Sequence, residues 1–138
     1  MTTASPGGDG PTPSAFAGLR ILLVEDDDRV RRSIRKALQR LGCTVSEAAN
    51  GRSARRTLRD GAVELVVTDL FMPDMDGLEL IMEIRLAHPE VKIMAISGGG
   101  RAVSMDLLPV AKRLGADCVL AKPFDVRSFV AKLRALGL

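Results

Sequence analysis

The sequence contains no tryptophan, no tyrosine and only four phenylalanines. So few aromatic side chains cannot sandwich a flavin ring or form a stacking platform for nucleic-acid bases. Aliphatic side chains must therefore fill the interior, and hydrophobic residues make up 46% of the chain. Its 138 residues suffice for one domain with one sizeable core and are too few for two.

Cysteine and long apolar runs are also scarce. Cys43 and Cys118 match no metal-ligand spacing and form no disulfide framework, and we predict that both are small core residues. No apolar run approaches the roughly 20 residues of a membrane span, and the N-terminus lacks the features of a signal peptide. We therefore expect a cytoplasmic location and no membrane partner.

The formal net charge is only +3, with 20 basic and 17 acidic residues. Many of the basic residues crowd two predicted helices: Arg29, Arg31, Arg32, Arg35, Lys36, Arg40, Arg52, Arg55, Arg56 and Arg59. We favour a solvated charged face as the interpretation. The alternative is a docking surface for an acidic partner helix. No recognition motif accompanies the charge, so we expect no nucleic-acid partner.

Residues 1–18 are rich in Gly, Pro, Ser and Thr and are predicted to be a disordered lead-in, followed by one domain over residues 19–138. Apolar runs predict five strands: Leu19–Val24, Thr44–Ala48, Leu65–Thr68, Val91–Ile96 and Cys118–Ala121. Helical periodicity follows each strand, which gives a (βα)₅ pattern. Because the strands are continuously apolar, the sheet should be parallel and covered on both faces. We predict a flavodoxin-like, doubly wound α/β fold with strand order 2-1-3-4-5 and a ligand crevice at the carboxyl ends of the strands.

Helix starts are marked by acidic caps. Asp27 or Asp28 should cap the first helix and Asp125 the last. Asp76, with Glu79 three residues later, predicts a capping box before the third helix.

Residues that can do chemistry lie where four of these strands end: Glu25, Asp26, Asp69, Ser97 and Lys122. In a parallel sheet these ends converge on one pocket. Close carboxylates repel one another, and Mg²⁺, which prefers oxygen ligands, would relieve the repulsion. Asp69 could then act as a nucleophile toward phosphorus, with Lys122 offsetting charge and the Ser97 hydroxyl donating to the phosphoryl oxygens.

The region from Leu19 to Leu138 resembles the receiver domain of two-component response regulators, in particular the stand-alone, chemotaxis-regulator-like members. The matching motifs are Val24-Glu25-Asp26-Asp27, Thr68-Asp69-Leu70-Phe71-Met72-Pro73, Asp76-Gly77, Ile96-Ser97-Gly98 and Lys122-Pro123-Phe124. The resemblance implies phosphoryl transfer to Asp69 from a sensor histidine kinase or a histidine phosphotransfer protein. It implies Mg²⁺ bound by Asp26, Asp69 and the backbone carbonyl of Phe71, with Glu25 acting through water. It also implies a cis Lys122–Pro123 bond.

Two positions concern how the switch works. Receivers usually carry an aromatic residue three positions before the lysine, where this chain has Val119. Phe71 is expected to shield the phosphoryl group from water. Since no output domain follows the last helix, we expect the protein to act through a downstream protein target, as a messenger, a relay intermediate or a phosphate sink.

Three other functions stay open at this point. Asp74-Met75-Asp76-Gly77 suggests a haloacid-dehalogenase-type phosphatase, but that family needs its aspartates directly after the first strand. A flavodoxin would need a Ser/Thr-rich phosphate loop after the first strand. A receiver that only docks partners would not need Asp69, Ser97 and Lys122 together.

Overall fold

The computed structural model describes residues 16–72, 75–97 and 109–138, and only the backbone of 71–72 and 75–76. Within these ranges there are seven strands: β1 (Arg20–Val24), β2 (Thr44–Ala48), β3 (Leu65–Asp69), β4 (Phe71–Met72), β5 (Met75–Asp76), β6 (Lys92–Ser97) and β7 (Cys118–Ala121). The helices are α1 (Asp28–Arg40), α2 (Gly51–Asp60), α3 (Gly77–Ala87) and α5 (Val126–Ala135), and residues 109–114 are the described part of α4.

Five strands form one parallel sheet in the order β2-β1-β3-β6-β7. Counted within that sheet, this is the order 2-1-3-4-5, so the prediction of a flavodoxin-like doubly wound fold is confirmed. The short strands β4 and β5, which the sequence did not predict, pair antiparallel directly after Asp69. The main sheet therefore directs the ends of β1, β3, β6 and β7 toward one edge, as the prediction required.

Both faces of the sheet are covered, because successive side chains of a strand point to opposite faces. Leu22, Val66 and Ile93 pack in a cluster that also contains residues of α2 and α3. Leu23 and Val67 pack in a second cluster with residues of α1 and α5. Continuous apolar strands are thus explained by burial on two sides.

The two cysteines belong to the second cluster, where both are buried and free. Burial is the main cause that raises the pKa of each thiol. The prediction that Cys43 and Cys118 are core residues is confirmed.

Three side chains cap helices at their amino ends. The carboxylate of Asp27, not that of Asp28, accepts from the amides of Arg29 and Val30 and starts α1. Asp125 caps α5, as predicted. Asn50 caps α2, since its side-chain oxygen accepts from the amide of Ser53 at 2.9 Å. The predicted capping box involves the side chain of Asp76, which lies outside the described part of the structure. The start of α4 and the three glycines after Ser97 also lie outside it.

The N-terminal segment enters the core earlier than expected. Phe16 is buried in the second cluster, and the guanidinium carbon of Arg134 lies 5.7 Å from its ring centroid. Residues 1–15 lie outside the described part, so the division at residue 18 stays a prediction. Among the described helices, none combines the length and hydrophobicity that crossing a bilayer would require.

Candidate functional site

Three acidic side chains meet at the carboxyl edge of the sheet. Glu25 and Asp26 follow β1, Asp69 ends β3, and one carboxylate oxygen from each lies within 4.8 Å of the others. Glu25 and Asp69 are almost fully buried, at 1% and 5% exposure, and Asp26 is the more exposed. The topology therefore brings together acids from two strands that are more than forty positions apart in sequence.

Lys122, just beyond β7, extends its ammonium group into this acidic cluster. Its Nζ donates to Glu25 Oε1 at 2.9 Å and lies 3.9 Å from Asp69 Oδ2. The amide of Asp27 donates to the other carboxylate oxygen of Glu25 at 3.2 Å. Lys122 is thus bound to Glu25 and adjacent to Asp69. The Lys122–Pro123 peptide bond is cis, as the resemblance implied.

Burial is the largest influence on Glu25 and raises the pKa of its carboxyl group. The hydrogen bond from Lys122 opposes this effect, and the charge of Asp69 adds to it. A raised pKa means that the negative charge at this position is held at a cost in free energy. A cation entering the cluster would relieve that cost.

Ser97, the last residue of β6, is fully buried. Its Oγ makes no hydrogen bond within the described part of the chain. Residue Ile96 is paired with Asp69 in the sheet, and the backbone oxygen of Ser97 accepts from Lys122 N at 2.8 Å. A buried hydroxyl without a partner is costly, so this one is suited to a ligand oxygen at the same edge.

Gly77 sets how closely α3 approaches the site. A Cβ atom at this position would lie 2.6 Å from Leu70 Cα and 2.7 Å from Asp69 O. Only glycine allows the helix to begin against the backbone that follows Asp69, which gives the Asp76-Gly77 motif a steric reason. The side chain of Phe71 lies outside the described residues, so its shielding role stays a hypothesis.

The donor set fits Mg²⁺. Carboxylate oxygens are the ligands that this ion prefers, and three of them are clustered here. Lys122 offsets part of the negative charge of the cluster, because its ammonium group pairs with both Glu25 and Asp69. The site can therefore hold a divalent cation beside Asp69, with Ser97 Oγ and Lys122 Nζ available to an anion.

The comparisons with known proteins agree with this geometry. The family model of the response regulator receiver domain matches residues 21–134. The response regulator receiver protein CpdR of Brucella abortus is 39% identical over 117 residues, which cover 85% of this chain and 95% of that protein. The sensor kinase CckA of the same organism is 37% identical over 118 residues, 84% of this chain, but the match spans only 12% of the kinase.

Solved structures show the same architecture. A CheY-like receiver domain protein from Methanospirillum hungatei has a TM-score of 0.78 at 26% identity, covering 87% of this chain and 94% of that one. The response regulator TrrA of Thermotoga maritima, in complex with Mg²⁺-BeF, has a TM-score of 0.74 at 30% identity, covering 85% and 97%.

The chain belongs to the response regulator receiver domain family, whose members accept a phosphoryl group on an aspartate in two-component signalling. As a receiver domain it is a signalling phosphoacceptor. The predicted membership is confirmed, and the phosphatase and flavodoxin alternatives are set aside.

Proposed function

We propose that Asp69 is the phosphoryl acceptor of this receiver and that a histidine of a sensor kinase or of a phosphotransfer protein is the donor. A carboxylate oxygen of Asp69 forms the new P–O bond while the P–N bond of the phosphohistidine breaks. The electron pair of that bond stays on the imidazole nitrogen, so no proton has to leave Asp69. This is nucleophilic catalysis by a carboxylate, and the remaining side chains have only to stabilise charge and hold the geometry.

The observation that carries the proposal is the set of groups around Asp69. Lys122 Nζ lies 3.9 Å from Asp69 Oδ2, and the buried Ser97 Oγ is unpartnered among the described residues. A phosphoryl group on Asp69 would supply acceptor oxygens for both. Lys122 would then share its charge between Glu25 and the phosphoryl oxygens.

We further propose that Asp26, Asp69 and the backbone carbonyl of Phe71 bind Mg²⁺, with Glu25 acting through water. The acidic cluster supports this assignment, and the similar TrrA was solved with Mg²⁺-BeF. Bound Mg²⁺ would neutralise charge that develops on the transferring oxygens. Removing the metal with a chelator should therefore abolish phosphorylation.

The donor's docking surface is proposed to be the groove between α1 and α5. This cavity of about 340 Å³ lies beside Lys122 and is lined by Ile34, Ala37, Phe124 and Phe129. Arg29 also lines the cavity, and its positive charge suits a partner helix with an apolar face and acidic flanks. We propose a cytoplasmic location and no nucleic-acid or membrane partner. Val119, which stands where receivers usually carry an aromatic residue, is partly buried against the first core cluster.

The proposal is tested by incubating the chain with Mg²⁺ and acetyl phosphate and measuring its intact mass. Wild type is expected to gain one phosphoryl group, and Asp69→Asn is expected to gain none. Asp60→Asn, at the exposed end of α2, is the control and should be labelled like wild type. No adduct on wild type would favour a receiver that only docks partners. An adduct that persists on Asp69→Asn would refute the assignment of the acceptor.

A further inference from the structure

Arg31 of α1 donates to three acceptors, two of which lie outside its own helix. Its Nη1 donates to the backbone oxygen of Glu25 at 2.8 Å, and its Nε donates to Glu47 Oε1 on β2 at 3.1 Å. Its Nη2 donates to Asp28 Oδ1 at 2.7 Å. The side chain is only 17% exposed. Most of the predicted basic face of α1 is exposed, but Arg31 is directed inward, toward the acidic pocket.

The oxygen that Arg31 binds belongs to the peptide unit joining Glu25 to Asp26. A peptide unit is planar, so the orientation of this carbonyl also fixes the directions in which the chain leaves toward both residues. Asp26 has no hydrogen bond or ion pair of its own among the described residues, so its position depends on the backbone. We propose that Arg31 is a positioning residue for the metal site, which orients Glu25 and Asp26 through their shared peptide group.

Arg31 is itself fixed from β2. Glu47 accepts from Arg31 Nε and also from Arg35 Nη1 at 2.9 Å, so it is held between two guanidinium groups. Burial acts to lower the pKa of Arg31, but hydrogen bonds to Asp28 and Glu47 outweigh it and raise that pKa. The guanidinium thus stays charged and keeps one orientation. Lysine could not replace it, because one ammonium group cannot reach three acceptors in this planar arrangement.

Arg20 offers a matched comparison at the opposite end of β1. It also donates to a backbone oxygen, that of Ala62, and pairs with a glutamate, Glu64. Its carbonyl partner is not part of the acidic cluster, and its side chain is 52% exposed. If arginines of this type only tie segments together, both should affect stability and neither should affect metal binding.

The test is Mg²⁺ affinity, measured by following amide signals of the ¹⁵N-labelled full chain in NMR titrations. The inference rests on the proposed metal site, so wild type is titrated first. Arg31→Lys keeps the positive charge but removes the planar guanidinium group and its several N–H donors. It should raise the Mg²⁺ Kd by roughly tenfold, the low end for groups that orient metal ligands. Arg20→Lys should leave the Kd unchanged. The ratio of Kd values should persist at high salt, because geometry is not screened as charge is.

Glu47→Gln is the second variant and keeps Arg31 in place. It removes one anchor of the guanidinium and should raise the Kd by an intermediate factor, whereas Glu64→Gln should not. Denaturant unfolding of each variant identifies any that fail to fold. If wild type does not bind Mg²⁺, the metal site and this inference both fall. If wild type binds and folded Arg31→Lys and Glu47→Gln bind equally well, the inference alone is overturned.

Discussion

At the amino edge of the sheet, Arg85 of α3 uses every N–H of its guanidinium group. At the carboxyl edge, Ser97 Oγ has no hydrogen-bond partner among the residues that the structure describes. Arg85 donates five hydrogen bonds, which go to Asp117 Oδ2 and to the backbone oxygens of Pro89, Val91 and Gly115. Asp117 Oδ2 also accepts from the amide of Ile93. This network ties the end of α3 to the start of β6 and to the chain before β7.

Both edges combine cationic and acidic side chains. At the amino edge every N–H of the Arg85 guanidinium group donates a hydrogen bond, whereas the carboxyl edge contains a buried hydroxyl without a partner among the described residues. At the carboxyl edge one lysine serves two buried acids, and burial raises the pKa of Glu25. A satisfied network contributes to stability, while an unsatisfied one costs free energy until a ligand completes it. The amino edge is therefore suited to holding the fold together, and the carboxyl edge is suited to the metal and phosphoryl group proposed above.

The largest expected effect on stability comes from the Arg85 network at the amino edge of the sheet. Arg85→Ala should lower the free energy of unfolding by about 2 kcal/mol, below the range for fully buried pairs because 27% of the side chain is exposed. Arg55→Ala removes an exposed pair with Glu83 and should cost only about 0.5 kcal/mol. Urea unfolding measures both. Equal costs would contradict the structural role assigned to the Arg85 network.

A smaller effect of opposite sign is expected at the binding edge. Without divalent cations, Asp26→Asn should raise the free energy of unfolding by about 1 kcal/mol, because it relieves repulsion among three carboxylates. Adding Mg²⁺ should stabilise wild type more than the variant, since the cation binds the folded state. Thermal unfolding with EDTA and with Mg²⁺ gives both values. Glu90→Gln, on the exposed surface, is the control. A loss of stability in EDTA would show that the cluster is not strained.

The smallest expected effect is a pH dependence whose sign differs between two glutamates. A hydrogen bond from Arg35 is the main cause that lowers the pKa of Glu47, while burial raises the pKa of Glu25. The contribution of Glu47 is therefore present above its unfolded pKa, near 4.5, and is lost as pH falls through its lower folded value. The contribution of Glu25 is lost as pH rises from 4.5 through its raised folded value.

Glu47→Gln and Glu25→Gln separate the two contributions. Free energies of unfolding are measured from pH 3 to pH 8 without metal. Between pH 4.5 and pH 3 the stability of Glu47→Gln should fall less steeply than that of wild type. Above pH 4.5 the stability of Glu25→Gln should not show the fall with rising pH that is expected of wild type. Identical pH profiles for the two variants would refute the contrast between a paired acid and a strained one.

Sequence patterns predicted the structure correctly where a residue type at a given position is compatible with only one local arrangement. The apolar run at the start of β3 must be buried on two sides, and such runs predicted the parallel sheet. The strand order followed from the arrangement that is common for five-stranded doubly wound sheets. Asp125 was recognised as a cap because no other acid lies near the start of α5. Where neighbours were equivalent, the pattern could not choose. Asp27 and Asp28 are both acids at a helix start, and only the backbone conformation shows which carboxylate reaches the amides.

The sequence by itself determined that acids, a hydroxyl and a lysine would stand at the ends of strands, because strand ends are local features. Tertiary structure alone decided which of these groups touch. Lys122 is bonded to Glu25, 97 positions away, and lies farther from Asp69. Arg31, grouped with a solvated face by its spacing, instead reaches the peptide group of Glu25. Such contacts depend on the distance between segments that the sheet brings together, and no local pattern encodes that distance.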